Sequence, residues 1–347
     1  MQRICGSLAA SGYTVLLVGY KLKSSIPLSD AAYRQKRINC LFKKGKLFYL
    51  EYNFCLFFYL LFQKIDCICA IDLDTIIPCW FISKIKSSKR VYDAHEYFTQ
   101  LEEVISRPFI HACWRWVERT FIPRFEKGYT VCQSLAQEFK KNFNAEYEVI
   151  RNVPILYDLP VTDKNKNILL YQGAVNQGRG LEKLAQAMKD IAAELWICGD
   201  GNFMAEMKAA VAAFNVKDKV IFWGMLGPID LKKKSEASYI AINPFERTGL
   251  NQYLSLSNKF FDYIHAALPQ VTMNYPEYSA VNKELEIAVL INDLDPENIS
   301  KAVNDLLANT DLYYRLRNNC LIVRENHNWQ KEEKKLIAFY YNLFHEQ

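Results

Sequence analysis

Short runs of apolar and β-branched residues alternate along the chain with longer segments whose apolar positions recur at helical spacing. Alternation of this kind predicts βα units wound around parallel sheets, an α/β fold. In the first half, residues 14–18, 65–71, 89–93, 128–131 and 147–150 read as strands, with helices between them that include 107–125 and 133–141. In the second half, strands read at 167–171, 194–198, 220–222, 239–242, 270–273 and 288–291. Helical segments at 181–190, 203–214, 227–236, 258–267 and 296–308 separate them.

Residues 151–160 carry Pro154 and Pro160 and little periodicity, and a polar stretch at 163–167 follows. This is the natural boundary between two Rossmann-like domains, residues 1–153 and 164–327. The tail 328–347 places Leu336, Phe339, Tyr340, Leu343 and Phe344 at helical spacing. The start is unusual. A doubly wound sheet opens with a strand, whereas residues 1–12 read as a helix with a glycine cap at Gly12 that runs straight into a strand. The expectation is that the opening strand is missing, that Met1 is an internal methionine, and that the natural chain begins further upstream.

At 347 residues the chain suits two domains, each able to bury a core. Hydrophobic residues at 50% against 23% charged exclude a disordered or fibrous protein. A net charge of +5 suits an anionic ligand or an anionic membrane surface, and is too small to argue for nucleic acid. Ten scattered cysteines without a secretory leader point to reduced thiols and a cytoplasmic location. Cys67 and Cys69 would share one face of a strand, for core packing or, less simply, for a metal. The apolar stretch 47–62 is too short to span a bilayer and contains Glu51 and Asn53. A buried or half-buried helix is the plainer reading. A peripheral membrane element is the alternative, because Arg34, Lys36, Arg37, Lys43, Lys44 and Lys46 precede this aromatic-rich segment.

Three segments carry candidate chemistry. Leu170-Tyr-Gln-Gly-Ala-Val-Asn-Gln-Gly-Arg-Gly180 takes a strand into a loop with Gly173, Gly178 and Gly180, where backbone N–H groups and Arg179 can face phosphate. Glycine in such a turn can equally be purely conformational. Trp196-Ile-Cys-Gly-Asp-Gly201 repeats the theme at a second strand end, with Gly199 and Asp200; Asp200 is a ligand contact or a cap for the next helix. In Tyr253-Leu-Ser-Leu-Ser-Asn-Lys-Phe-Phe-Asp-Tyr-Ile-His-Ala-Ala-Leu-Pro269, Ser255 or Ser257 caps a helix that begins Asn258-Lys259, with Asp262 one turn on. A cation in the first turn opposes the helix dipole, and an anionic ligand resolves that conflict.

Taken in order, these segments resemble the C-terminal domain of glycosyltransferase family 4, nearest to the bacterial cell-surface polysaccharide enzymes. Val91-Tyr-Asp-Ala-His-Glu-Tyr-Phe98 and Arg151-Asn-Val-Pro154 extend the likeness into the first half. The resemblance implies a GT-B fold, two Rossmann-like domains whose parallel sheets face a central cleft, with the final helix returning to the first domain. It implies a retaining transfer from a nucleotide sugar to a glycan or lipid-linked acceptor, without cofactor or obligatory metal; the location read from composition stays cytoplasmic, with peripheral contact at the inner face of the membrane as the alternative. Arg179 and Lys259 would bind the donor diphosphate, Asp262 the ribose hydroxyls, and His95 would reach the donor sugar. Gly173, Gly178, Gly180, Gly199, Asp200, Asn258 and Glu246 complete the implied donor site. The chain departs from the family pattern at Ala174, where a basic residue is common, and at Leu254, the first place of a glutamate pair whose second place is Asp262. Glu246 resembles that first glutamate but stands further upstream.

Rival chemistries are weaker. Asp72-Leu-Asp74 has the Asp-x-Asp spacing of metal-chelating GT-A enzymes, but it follows a strand where either aspartate can cap a helix. His111, His327 and His345 form no metal-ligand spacing, and His265 reads as helix-surface packing. A sugar-nucleotide 2-epimerase and a non-catalytic GT-B scaffold remain open beside the transferase.

Overall fold

The computed structural model describes residues 1–22, 25, 27–160 and 164–345; Asp163, at the head of the expected linker stretch, lies outside them. The chain forms two compact units, Met1–Arg151 with Lys331–Gln347, and Asn152–Gln330.

The first unit contains α1 (Gln2–Ala10), β1 (Leu16–Tyr20), β2 (Arg34–Ile38), α2 (Lys46–Leu61), β3 (Cys67–Ile71), α3 (Ile76–Ile85), β4 (Lys89–Ala94), α4 (Glu102–Ile105), α5 (Pro108–Phe121), β5 (Gly128–Thr130), α6 (Gln133–Phe143) and β6 (Glu148–Val149). Helix α1 ends as the sequence suggests. Gly12 takes φ of 91°, its N–H donates to Ala9 O, and Tyr13 N–H donates to Leu8 O, which closes a Schellman cap. Strand β2 was not legible: its residues Arg-Gln-Lys-Arg-Ile are nearly all polar. It pairs in parallel with β1 at a sheet edge, where charged side chains are tolerated. Arg34, Lys36 and Arg37 therefore belong to a strand. Among the described residues β1–β2 form one sheet and β3-β4-β5-β6 a second, all parallel.

Segment 47–62 forms α2 as far as Leu61, with Phe62 just past its end, and the helix buries Phe48, Tyr52, Leu56 and Leu60, a stripe repeating every four residues. No helix of the described residues is long and apolar enough to cross a membrane. Cys67 and Cys69 share the half-buried face of β3, where burial pushes the Cys67 thiol up to about 12. All ten cysteines are free.

The second unit contains β7 (Asn165–Gln172), α7 (Leu181–Ala187), β8 (Glu194–Cys198), α8 (Met204–Ala213), β9 (Val220–Gly224), α9 (Pro228–Ala237), β10 (Ser238–Asn243), α10 (Leu250–Leu254), α11 (Asn258–His265), β11 (Gln270–Met273), α12 (Pro276–Glu284), β12 (Ala288–Ile291), α13 (Pro296–Ala308) and α14 (Thr310–Val323). Its six strands form one parallel sheet in the order β12-β11-β10-β7-β8-β9. The chain enters at central β7, winds outward through β8 and β9, then returns to β10 on the other side. The strand order thus reverses between β7 and β10, the place where open α/β sheets bind ligands. The last helix, α15 (Trp329–His345), supplies the first unit with Phe339, whose ring lies edge-on to Tyr129 at 5.3 Å, and Phe344, stacked on Tyr13 at 5.7 Å.

Two local expectations are corrected. His265 does not pack on a helix surface: it is 1% exposed, with Nε2 2.8 Å from the His327 carbonyl oxygen. Asp200 does not cap α8, which starts three residues later than Gly201; its carboxylate instead accepts from Gly201 N–H at 2.8 Å.

Candidate functional site

The second unit's glycines are fixed by close backbone approach. A Cβ built on Gly199, at φ of 156°, would stand 1.9 Å from Gly173 O. With no side chain there, Gly173 N–H donates to Cys198 O and Val175 N–H donates to Asp200 O, so the turns after β7 and β8 are laced together. Gly180, at φ of 64°, is pressed similarly, since its Cβ would lie 2.5 Å from Pro244 O. That contact seats the 173–180 loop against the exit of β10. Glu246 N–H donates to Gly178 O, and Gly180 N–H donates to Glu246 Oε1 at 3.2 Å. Glu246 is thereby part of the loop's support despite its displaced position in sequence.

Two cations meet above this loop. The Arg179 guanidinium lies 4.4 Å from the Phe245 ring centroid, and Lys259 Nζ lies 4.9 Å from the same ring and 3.9 Å from Tyr171. The Lys259 ammonium also borders Gly173, whose built Cβ would come within 3.6 Å of it. Among the described residues neither cation has a carboxylate within ion-pair distance. Burial, and then the nearby Arg179 charge, hold the Lys259 pKa well below the usual lysine value, against a weaker pull from Asp262. Lys259 sits in the first turn of α11, whose N-cap residue is Ser257. The Ser257 hydroxyl gives that helix no cap bond; it accepts from Asn243 Nδ2 at 3.2 Å.

Asp262, one turn along α11, accepts from Gln172 Nε2 at 3.0 Å, and Gln172 Oε1 accepts from Ser235 Oγ at 2.8 Å. Gln172 is buried at the end of β7 and fixes the carboxylate's direction. Asn258 is exposed and accepts from Asn152 Nδ2 at 3.1 Å. Beside Glu246 opens a cavity of about 370 Å³, lined among others by Arg247, Tyr253, Asn274, Tyr275 and Asn292.

His95 belongs to the first unit. It follows β4, with its backbone N–H donating to Asp72 Oδ1 at 2.8 Å and its Nε2 3.1 Å from Asp93 Oδ1. Asp93 is 1% exposed. Burial works to lower the His95 pKa, but Asp93 and Asp72 outweigh it and the net shift is upward. Burial raises the Asp72 carboxyl to about 7, opposed by His95. The Asp-x-Asp pair is thus divided between tasks: Asp72 holds the His95 backbone, while Asp74 sits in the short 3-10 turn Leu73–Thr75.

The structure brings Gly173, Gly178, Arg179, Gly180, Gly199, Glu246, Lys259 and Asp262 together at the β7/β10 reversal, with Asn258 at the edge. Sequence reasoning missed Tyr171, Gln172 and Phe245, the rings and amide that place the charged groups. A polar Gln172 ending an apolar strand was the available signal. It also missed Asp93, two residues before His95 and therefore on the same side of an extended strand.

Residues 166–309 match the family described as glycosyl transferases group 1. A search of curated protein sequences returns no match. Among solved structures, the chain resembles sucrose-phosphate synthase from Thermosynechococcus elongatus, with a TM-score of 0.85 at 17% identity over 99% of this chain and 92% of that one. It is also similar to WaaG, a glycosyltransferase involved in lipopolysaccharide biosynthesis, at TM-score 0.74, 15% identity and coverage of 99% and 95%. HepE from Anabaena, solved in complex with UDP, aligns at TM-score 0.72, 12% identity and coverage of 95% and 100%. Fold and family match define the class: this is a glycosyltransferase of GT-B fold.

Proposed function

We propose that the protein is a retaining, metal-independent transferase of glycosyltransferase family 4, which moves a sugar from a nucleotide diphosphate donor to a glycan or lipid-linked acceptor in cell-surface polysaccharide synthesis. The observation that carries this reading is the pair Arg179 and Lys259 at the strand-order reversal, two cations with no carboxylate within ion-pair distance among the described residues. A site that holds like charges together in a half-buried place is matched by a dianionic ligand. Breaking the bond between the sugar and the diphosphate leaves negative charge on the leaving group, and the two cations stabilise it in place of a metal. Asp262, held by Gln172, accepts hydroxyl bonds from the ribose. The cavity beside Glu246, with its amides and tyrosines, takes the hydroxyls of the transferred sugar. His95, oriented by Asp72 and Asp93, acts on that sugar during transfer. UDP in the HepE structure and the lipopolysaccharide role of WaaG support the donor and acceptor classes.

The test combines binding and turnover. Nucleoside diphosphate sugars should raise the melting temperature of the wild type. Arg179→Ala and Lys259→Ala should each lose that response and cost about 2–4 kcal/mol in turnover while keeping the native circular-dichroism spectrum. Near wild-type transfer by either variant would remove the diphosphate from this place.

A further inference from the structure

The strongest feature outside the donor site is the solvent side of α2. Opposite its buried stripe, the helix exposes Leu47, Leu50, Phe54 and Phe58, followed by Phe62, at positions that also repeat along one face. Leu50 is 70% exposed, Phe54 64% and Phe62 81%. A helix apolar on both faces is ordinarily buried on both. Here the second face is exposed. Phe81 and Ile85 on α3 and Phe109 on α5 add exposed apolar surface to the same unit.

The loop before α2 sharpens the case. Leu41 is 88% exposed and Phe42 is exposed beside it, yet both are held in place: their backbone N–H groups donate to the two carboxylate oxygens of Glu51, at 2.7 and 2.8 Å. Glu51, the one acidic residue in α2, is therefore turned onto the loop, with both carboxylate oxygens bonded there. Lys44 and Lys46 are exposed directly after this Leu-Phe pair, and Lys46 Nζ lies 4.7 Å from the Phe109 ring. Apolar side chains fixed outward, next to lysines, match the boundary between anionic headgroups and acyl chains.

We propose that the loop Leu41–Lys46 and the outer stripe of α2 form a docking face for an anionic lipid bilayer, with Leu41, Leu50, Phe54 and Phe58 entering the acyl boundary and Lys44 and Lys46 meeting lipid phosphates. A two-fold dimer through the same face places these lysines near their own copies with no free acid on the helix to answer them, whereas anionic lipid supplies the missing charge. The inference goes beyond sugar transfer and does not depend on it.

Co-sedimentation with vesicles, without nucleotide or acceptor, tests it directly. The full chain should bind vesicles of phosphatidylcholine with phosphatidylglycerol, bind phosphatidylcholine alone more weakly, and release as salt rises. Leu50→Ser with Phe54→Ser and Phe58→Ser should weaken binding roughly a hundredfold, since three apolar side chains leave the boundary. Lys44→Gln and Lys46→Gln should each cost roughly fivefold on anionic vesicles only. All these side chains are exposed, so the variants should keep the wild-type spectrum and their response to nucleoside diphosphate sugars. Wild type that ignores anionic vesicles overturns the proposal, as does a triple variant that binds like wild type. A concentration-dependent dimer that the triple variant abolishes overturns it too, and assigns the face to a second copy. Loss of donor binding with vesicle binding intact would sink the transferase reading alone.

Discussion

Lys259 concentrates the logic of the proposed donor site in one side chain. It opens α11 with a positive charge where the helix dipole disfavours one, and burial and Arg179 depress its pKa further. A diphosphate sets negative charge against the ammonium and offsets these terms. The ligand-free site then binds fewer protons than the complex, so binding takes up a proton over the pH interval between the two Lys259 pKa values, and affinity falls as pH rises through it. Calorimetry of nucleoside diphosphate binding in buffers of different ionisation enthalpy should show that uptake. Lys259→Met should show only the ligand's own contribution, and equal uptake by both proteins would refute the argument. This residue was legible in sequence because its oddity is local, a cation in a first helical turn. Phe245 and Tyr171 were not, because their role depends on a sheet that brings residues from β7, the β10 exit and α11 together.

At the scale of elements, the βα turns of the second unit work as one interlocked piece. The turns after β7 and β8 share backbone bonds that only a glycine at 199 allows, and Gly180 seats the same loop on Pro244. Gly199→Ala should therefore do more than strain one residue. Its methyl group meets the Gly173 carbonyl, a backbone atom that cannot rotate away, so the Gly173 turn must move off Lys259. Expected are a stability loss of about 1–3 kcal/mol from strain and broken turn bonds, and weaker donor binding than that loss alone explains. Gly12→Ala, at an exposed helix end with open space around it, serves as the control for strain without displacement. Equal donor affinity in Gly199→Ala and wild type would separate the turn from the site. Elements of the second unit were read from sequence nearly to the residue at β8, β11, β12 and α13, because buried parallel strands and amphipathic helices have strong periods. Strand β2 escaped because an edge strand needs neither apolar residues nor alternation. Helices α12 and α14 escaped because polar residues interrupt their apolar spacing.

Across the whole molecule, pH should act unevenly on the two units. Three carboxyls with raised pKa lie in the first: Asp72 at about 7, Asp74 at about 6 and Glu118 at about 7, with burial the leading cause in each. Glu118 is the simplest to isolate. It is 4% exposed on α5, accepts from Thr99 Oγ1 at 2.8 Å, and lies away from the His95 cluster in sequence and bonding. The folded unit holds its proton up to about 7, whereas the unfolded chain releases it near the ordinary glutamate value of 4.5. Stability from this group is fully present below the unfolded value and is lost as pH rises through the folded one, by about 3 kcal/mol in total. His95, also raised, has the same sign. Urea unfolding of the first unit, followed by exchange of α5 amides, should therefore weaken progressively from acidic to neutral pH. Glu118→Gln keeps an oxygen for Thr99 but cannot ionise, so it should flatten that slope by roughly the Glu118 share and make the unit more stable than wild type at neutral pH. An unchanged slope in Glu118→Gln would show that the buried carboxyl is already ionised in the folded unit, with its charge met by Arg115 and Arg119 instead of suppressed by burial.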